Sequence, residues 1–101
     1  MAEYPVTVEG CIKALTHHGA VIVTFVCFKS VYDAPKGRIP LPQKGEEQVG
    51  AHAVALYDHS PEEQCFYFRN SWGEKWGDRG HGALPYSYIE NGYVTKLTVL
   101  G

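Results

Sequence analysis

Long apolar runs are missing from this sequence. The stretch Ala20–Phe28 covers nine residues and is interrupted by Thr24. It is too short to span a bilayer, which takes about 20 residues, and too deep in the chain to be the apolar core of a secretory leader. No membrane partner is expected. Blocks of one charge are missing too. Nine basic and eleven acidic residues give a net charge of −2. With no basic patch to neutralise phosphates, a nucleic-acid partner is not expected either. Cysteine is scarce. Cys11, Cys27 and Cys65 are an odd number, so they do not complete a disulfide framework. Without a Cys-x-x-Cys pair or Cys/His ligand spacing, no structural zinc, other metal or cofactor is expected. There is no internal repeat, linker or low-complexity tract. The compartment is left open, with a reduced cytosol as the plain reading.

What is present describes a globular chain. The 101 residues are 45% hydrophobic and include seven Tyr, four Phe and two Trp. That length makes one domain, residues 1–101, which buries roughly 60–65% of its unfolded surface. Thr7 reads as the N-cap of a helix over Val8–His18, with Cys11, Ala14, Leu15 and His18 on one stripe and Gly19 as its stop. Ala20–Phe28 reads as a buried strand. Lys29–Gln48 holds three prolines and two glycines and reads as a long irregular loop, with a helical turn at Ser30–Tyr32. Strands are expected at Val49–Tyr57 and Gln64–Arg69, joined by a turn at Asp58–Glu63. A glycine-rich loop follows over Asn70–Gly82. Leu84–Ile89 is then a short strand or turn, Asn91–Gly92 a turn, and Tyr93–Leu100 a closing strand. The fold class is α+β: one N-terminal helix and a meandering antiparallel sheet curled toward a barrel.

The decisive segment is Arg69-Asn70-Ser71-Trp72-Gly73-Glu74-Lys75-Trp76-Gly77-Asp78-Arg79-Gly80. It resembles the signature around the catalytic asparagine of papain-like cysteine peptidases. Ala51-His52-Ala53-Val54 resembles the strand that carries that family's catalytic histidine, and Leu84-Pro85-Tyr86-Ser87-Tyr88-Ile89 a segment of its microbial members. The opening from Ile12 through Val23 is similar to the start of the family's second half, so the resemblance runs from about Tyr4 to the end. It implies the right-hand domain of the papain-like fold. It also implies peptide-bond hydrolysis, with His52 as the base that activates a thiol, Asn70 as its orienter and Trp72 as a shield over their hydrogen bond.

The sequence departs from the family in what it lacks. The family's nucleophile follows a glutamine by six residues and precedes a tryptophan. Six residues before Cys11, Cys27 and Cys65 stand Pro5, Val21 and His59, and none of the three is followed by Trp. No nucleophile is assigned, and the nucleophile-bearing half of the fold is expected to lie outside these 101 residues. Smaller departures are His81 in place of a usual tyrosine, Ala51 before the histidine, and a strand after His52 about two residues short of the family pattern. His17 and His18 read as helix-end cations, His59 and His81 as surface or turn residues, and Glu46–Glu47 and Glu62–Glu63 as solvated loop faces.

Two functions therefore compete. One is a peptidase half that is inactive without a Cys-bearing half. The other is a non-catalytic module, derived from such a peptidase, that binds peptide or protein. The expected partners are a Cys-bearing half, a peptide or protein substrate, or a second copy of the chain, because an uncovered apolar face associates.

Overall fold

The structure is a computed structural model and describes residues 4–99. The first helix, α1, spans Val8–His18. The Thr7 hydroxyl accepts from the Gly10 amide at 3.0 Å, and Gly19 closes the helix at φ 80° with its amide on the Leu15 carbonyl. Cys11, Ala14 and Leu15 form its buried stripe, while His18 is only half-buried. Both terminal histidines instead meet the Tyr4 hydroxyl, His17 through Nδ1 at 2.9 Å and His18 through Nε2 at 3.2 Å.

The strands are β1 (Val21–Phe28), β2 (Gln48–Ser60), β3 (Cys65–Arg69), β4 (His81–Pro85) and β5 (Val94–Thr98). They form one antiparallel sheet in the order β4-β3-β2-β1-β5. The helix-plus-antiparallel-sheet expectation is met, and the sheet stays open, with β4 and β5 at its edges. The β4 edge is partly covered, because Arg38 bridges to Ala83 and the Ile39 amide donates to the Ala83 carbonyl at 2.9 Å. β1 is flanked on both sides and alternates between buried and half-buried positions, so Val21, Val23, Phe25 and Cys27 point into the core. Phe66, Phe68, Leu56, Leu84 and Tyr88 complete that core below α1.

Several boundaries differ from the sequence reading. β4 starts at His81, inside the expected loop Asn70–Gly82, and β5 is Val94–Thr98 within the expected Tyr93–Leu100, whose Leu100 lies outside the described residues. β2 runs on to Ser60, so the hairpin turn is shortened to residues 61–64 and Asp58–Ser60 are strand. Cross-strand pairing with Cys65, Phe66 and Tyr67 holds those polar residues extended. The pairing slips between Leu56 and Asp58, leaving Tyr57 as the extra residue of a bulge. Leu84–Ile89 divides into the end of β4 and a short helix, α2 (Tyr86–Glu90). Pro85 lies between them at φ −64°; it lacks an N–H for the ladder and suits a helix start. His59 and His81 are strand residues bonded to tyrosines, His59 Nδ1 to the Tyr86 hydroxyl at 2.9 Å and His81 Nδ1 to the Tyr57 hydroxyl at 3.0 Å.

The connection from β1 to β2 contains two short 3₁₀ segments, Lys29–Asp33 and Pro35–Gly37. Glu46 latches it. Its carboxylate accepts from the Ser30 amide at 2.6 Å and the Gln43 amide at 3.0 Å. Contact with the Ser30 hydroxyl, then these two amide bonds, hold the carboxyl below its ordinary range. A group whose folded value is depressed binds fewer protons in the native state, so stability rises with pH through its titration. Glu46→Gln should therefore lower the urea midpoint slightly at pH 7, and the gap to wild type should close below about pH 4 as the native carboxylate is protonated. Paired urea titrations across pH 3–7 test this; a gap that persists unchanged at the acid end would count against the latch.

Candidate active site

His52 lies on β2 and Asn70 immediately after β3, 18 residues apart. The pairing of Leu56 with Phe68 sets the phase. Side chains two apart on a strand share a face, so His52, Val54 and Leu56 lie on the same side as Phe66, Phe68 and Asn70. His52 and Asn70 occupy the end of this core-facing row, where it opens. His52 Nε2 lies 2.9 Å from Asn70 Oδ1. The same oxygen accepts from the Ser71 amide at 2.8 Å. A backbone N–H can only donate, so that contact identifies the atom as the amide oxygen. The His52 nitrogen facing it must then carry the proton. Nδ1 is left with its lone pair, and no hydrogen bond engages it among the described residues.

Asn70 is only 7% exposed, and its backbone N–H donates to the Gly80 carbonyl at 2.7 Å. The orienting oxygen is thus fixed by the loop that it opens. Aromatic rings enclose the imidazole. Trp72 stacks on it with centroids 4.8 Å apart and planes at 21°, and Phe25, its cross-strand partner, meets it edge-on at 5.9 Å. Trp76 stands edge-on to Trp72 at 5.5 Å and donates its indole N–H to the Val31 carbonyl at 3.0 Å. Rings on both sides lower the local dielectric around the His52–Asn70 bond, which strengthens it.

The loop Asn70–Gly80 reaches this shape through close approach. Gly37 and Gly77, both at positive φ, pack against the His81 carbonyl where a Cβ on either would clash. The sequence reading did not find the parts that come from elsewhere. Tyr32, in the first 3₁₀ segment, lies against Trp72 at 5.6 Å, and Phe25 is an ordinary strand phenylalanine. The helical-turn signal at Ser30–Tyr32 was the only local cue to the former.

The structure places all three cysteines in the core. Burial pushes the Cys11 thiol up to about 11 and raises Cys27. A thiol so placed is a poor nucleophile, because the thiolate is the reactive form. None of the three has an imidazole partner among the described hydrogen bonds. Among the described residues no group of three or more His, Cys, Asp or Glu is placed to hold a metal.

Residues 2–96 match the family model described as papain family cysteine protease. The chain belongs to the papain family of cysteine peptidases. A peptidase C1-like protein of Acanthamoeba polyphaga mimivirus is 33% identical over 85 residues, 81% of this chain and 27% of that protein. Xylellain, a cysteine protease from Xylella fastidiosa, superposes with a TM-score of 0.79 at 28% identity, over 98% of this chain and 38% of its own. A procathepsin B of Trypanosoma congolense shares the fold at a TM-score of 0.69 and 12% identity, over 92% of this chain and 32% of its own. The chain thus spans little more than a quarter of its curated papain-family relative. The histidine–asparagine pair, stacked under a tryptophan, lies within that span.

Proposed function

We propose that this chain supplies the histidine and asparagine of a cysteine peptidase whose thiol comes from a Cys-bearing half. The observation that carries the reading is the His52 Nε2–H bond to a buried amide oxygen, which leaves Nδ1 as the basic nitrogen. In the proposed reaction Nδ1 takes the thiol proton and the thiolate attacks the peptide carbonyl carbon. The resulting imidazolium protonates the departing amine, leaving a thioester. Nδ1 then takes a proton from water as the water oxygen bonds to the thioester carbon; the C–S bond breaks, the acid departs, and the imidazolium returns the proton to the thiolate. Asn70 holds the ring through both transfers, and Trp72 keeps water from their bond.

The thiol is assigned to another half because Cys11, Cys27 and Cys65 are buried. That half must meet the open end of the core-facing row, where His52 and Asn70 lie. The opposite face of β2, where Ala51, Ala53 and Ala55 are exposed in a row beside half-buried Ile22, Thr24 and Val26 of β1, lies across the sheet from the imidazole. A second copy of the chain would find an apolar face there. Co-expression with a Cys-bearing papain-family half is expected to yield a stoichiometric complex that hydrolyses a fluorogenic peptide library under reducing conditions. A stable complex without turnover would sink the proposal. It would favour the second reading, a peptide-binding module, for which the exposed aromatic surface beside His52 speaks.

A further inference from the structure

We propose that the groove between the start of α1 and the end of α2 docks an extended basic segment of a partner protein, one in which an aliphatic residue is flanked by arginine or lysine. Val6, Thr7, Val8 and Glu9 form one wall of this groove and Ile89 and Glu90 the other, around a volume of about 520 Å³. No residue in contact with His52 lines it. The docking site therefore goes beyond the peptidase reading and does not rest on it.

The apolar part of the lining is aliphatic throughout. Ile89 is buried and Val8 half-buried, and both belong to or pack on the core. Val6 is 38% exposed and keeps its side chain open to solvent. With no ring in the lining, the groove suits a branched aliphatic side chain, which gains by removing apolar area from water.

The wall that carries Val6 is fixed. The Thr7 backbone N–H donates to the Pro5 carbonyl at 2.9 Å, and that carbonyl sits against Gly10, where a Cβ would collide with it. The Tyr4 hydroxyl is bonded to His17 and His18 at the far end of α1. The chain is thus anchored on both sides of Val6, and docking orders little that is not already ordered.

Charge selects the partner. Glu9 and Glu90 are exposed, one on each helix, and they are the only charged side chains among those that line the groove. Lys13, one turn beyond Glu9, does not line it. The Thr7 hydroxyl already accepts from the Gly10 amide and Glu9 occupies the first turn, so the helix start offers little to an incoming anion. Cations on either side of the aliphatic residue meet opposite charge here, and carboxylates meet like charge.

The test uses the whole ¹⁵N-labelled chain and three capped peptides: acetyl-Ala-Arg-Leu-Arg-Ala-amide, the same peptide with Glu for both Arg, and the same peptide with Ser for Leu. Binding is followed by the amide resonances of Val6, Val8, Glu9, Ile89 and Glu90. The Arg-Leu-Arg peptide is expected to bind roughly three- to tenfold tighter than either of the others, and its advantage over the acidic peptide should shrink as salt is raised. Glu9→Gln with Glu90→Gln should bring that charge preference near one, and Val6→Ser should weaken the Arg-Leu-Arg peptide while leaving the preference in place. All three substitutions are at exposed positions, and unchanged dispersion of the remaining amide signals checks that the variants fold. Equal binding of the three peptides, a charge preference that survives the double variant, or shifts confined to other parts of the chain would each overturn the proposal. So would a dimer in sedimentation that Val6→Ser disperses, since the groove would then belong to a second copy. Turnover plays no part in these readouts, so this site and the peptidase reading fail separately.

Discussion

Replacing Phe25 with alanine is expected to lower the stability of the chain by about 3–5 kcal/mol. Phe25 is fully buried on β1, the strand between β2 and β5. Its ring meets Tyr88 at 5.8 Å, His52 at 5.9 Å and Phe68 at 6.2 Å. Deleting it removes the contact surface of three other rings, and sheet on both sides leaves little freedom to collapse into the gap. A domain of this size holds roughly 5–15 kcal/mol in total, so the variant should be partly unfolded near 37 °C. Phe25→Leu keeps most of the volume and should cost about 1–1.5 kcal/mol. Urea unfolding of the two variants beside wild type measures both. A cost below about 1 kcal/mol for the alanine would mean that the core repacks around the vacancy.

The second large effect is on turnover. In the complex with a Cys-bearing half, His52→Ala should reduce the rate by at least about 10³-fold, since it removes the proton acceptor, the imidazolium beside the thiolate and the proton donor together. Asn70→Ala should cost less, on the order of 10²-fold, because the ring remains but loses its fixed tautomer and orientation. It should also destabilise the fold by about 1–3 kcal/mol, as the Ser71 amide loses its acceptor. The double variant should be little slower than His52→Ala, because an orienter has nothing left to orient. Single-turnover kinetics on folded complexes separate these outcomes. Equal losses from independent additive effects would mean that Asn70 acts by some route other than the ring.

The parts of the fold that were legible in the sequence carry their cause locally. Thr7 and Gly19 bound α1 because a hydroxyl acceptor and a left-handed residue are needed one helix length apart. His52 and Asn70 were found through residues written next to them, above all the tryptophans and glycines after Asn70. The rest depends on pairing across distance. Asp58, His59 and Ser60 read as a turn because their side chains are polar, yet they are strand because β3 lies alongside. Leu84–Ile89 reads as a short strand or turn, yet Pro85 ends the ladder and a short helix follows. Tyr32 is 40 residues from Trp72, and the helical-turn signal at Ser30–Tyr32 marks the segment without naming its partner.

The bond from the Trp76 indole to the Val31 carbonyl, with Gly37 and Gly77 packed about the one His81 carbonyl, has a practical meaning for engineering. Lys29–Gly37 and Asn70–His81 are cut from one pattern. A foreign segment grafted at either place would arrive without its counterpart and would tilt the floor on which the imidazole rests. A graft here is therefore a cassette of two segments, transplanted together or left alone.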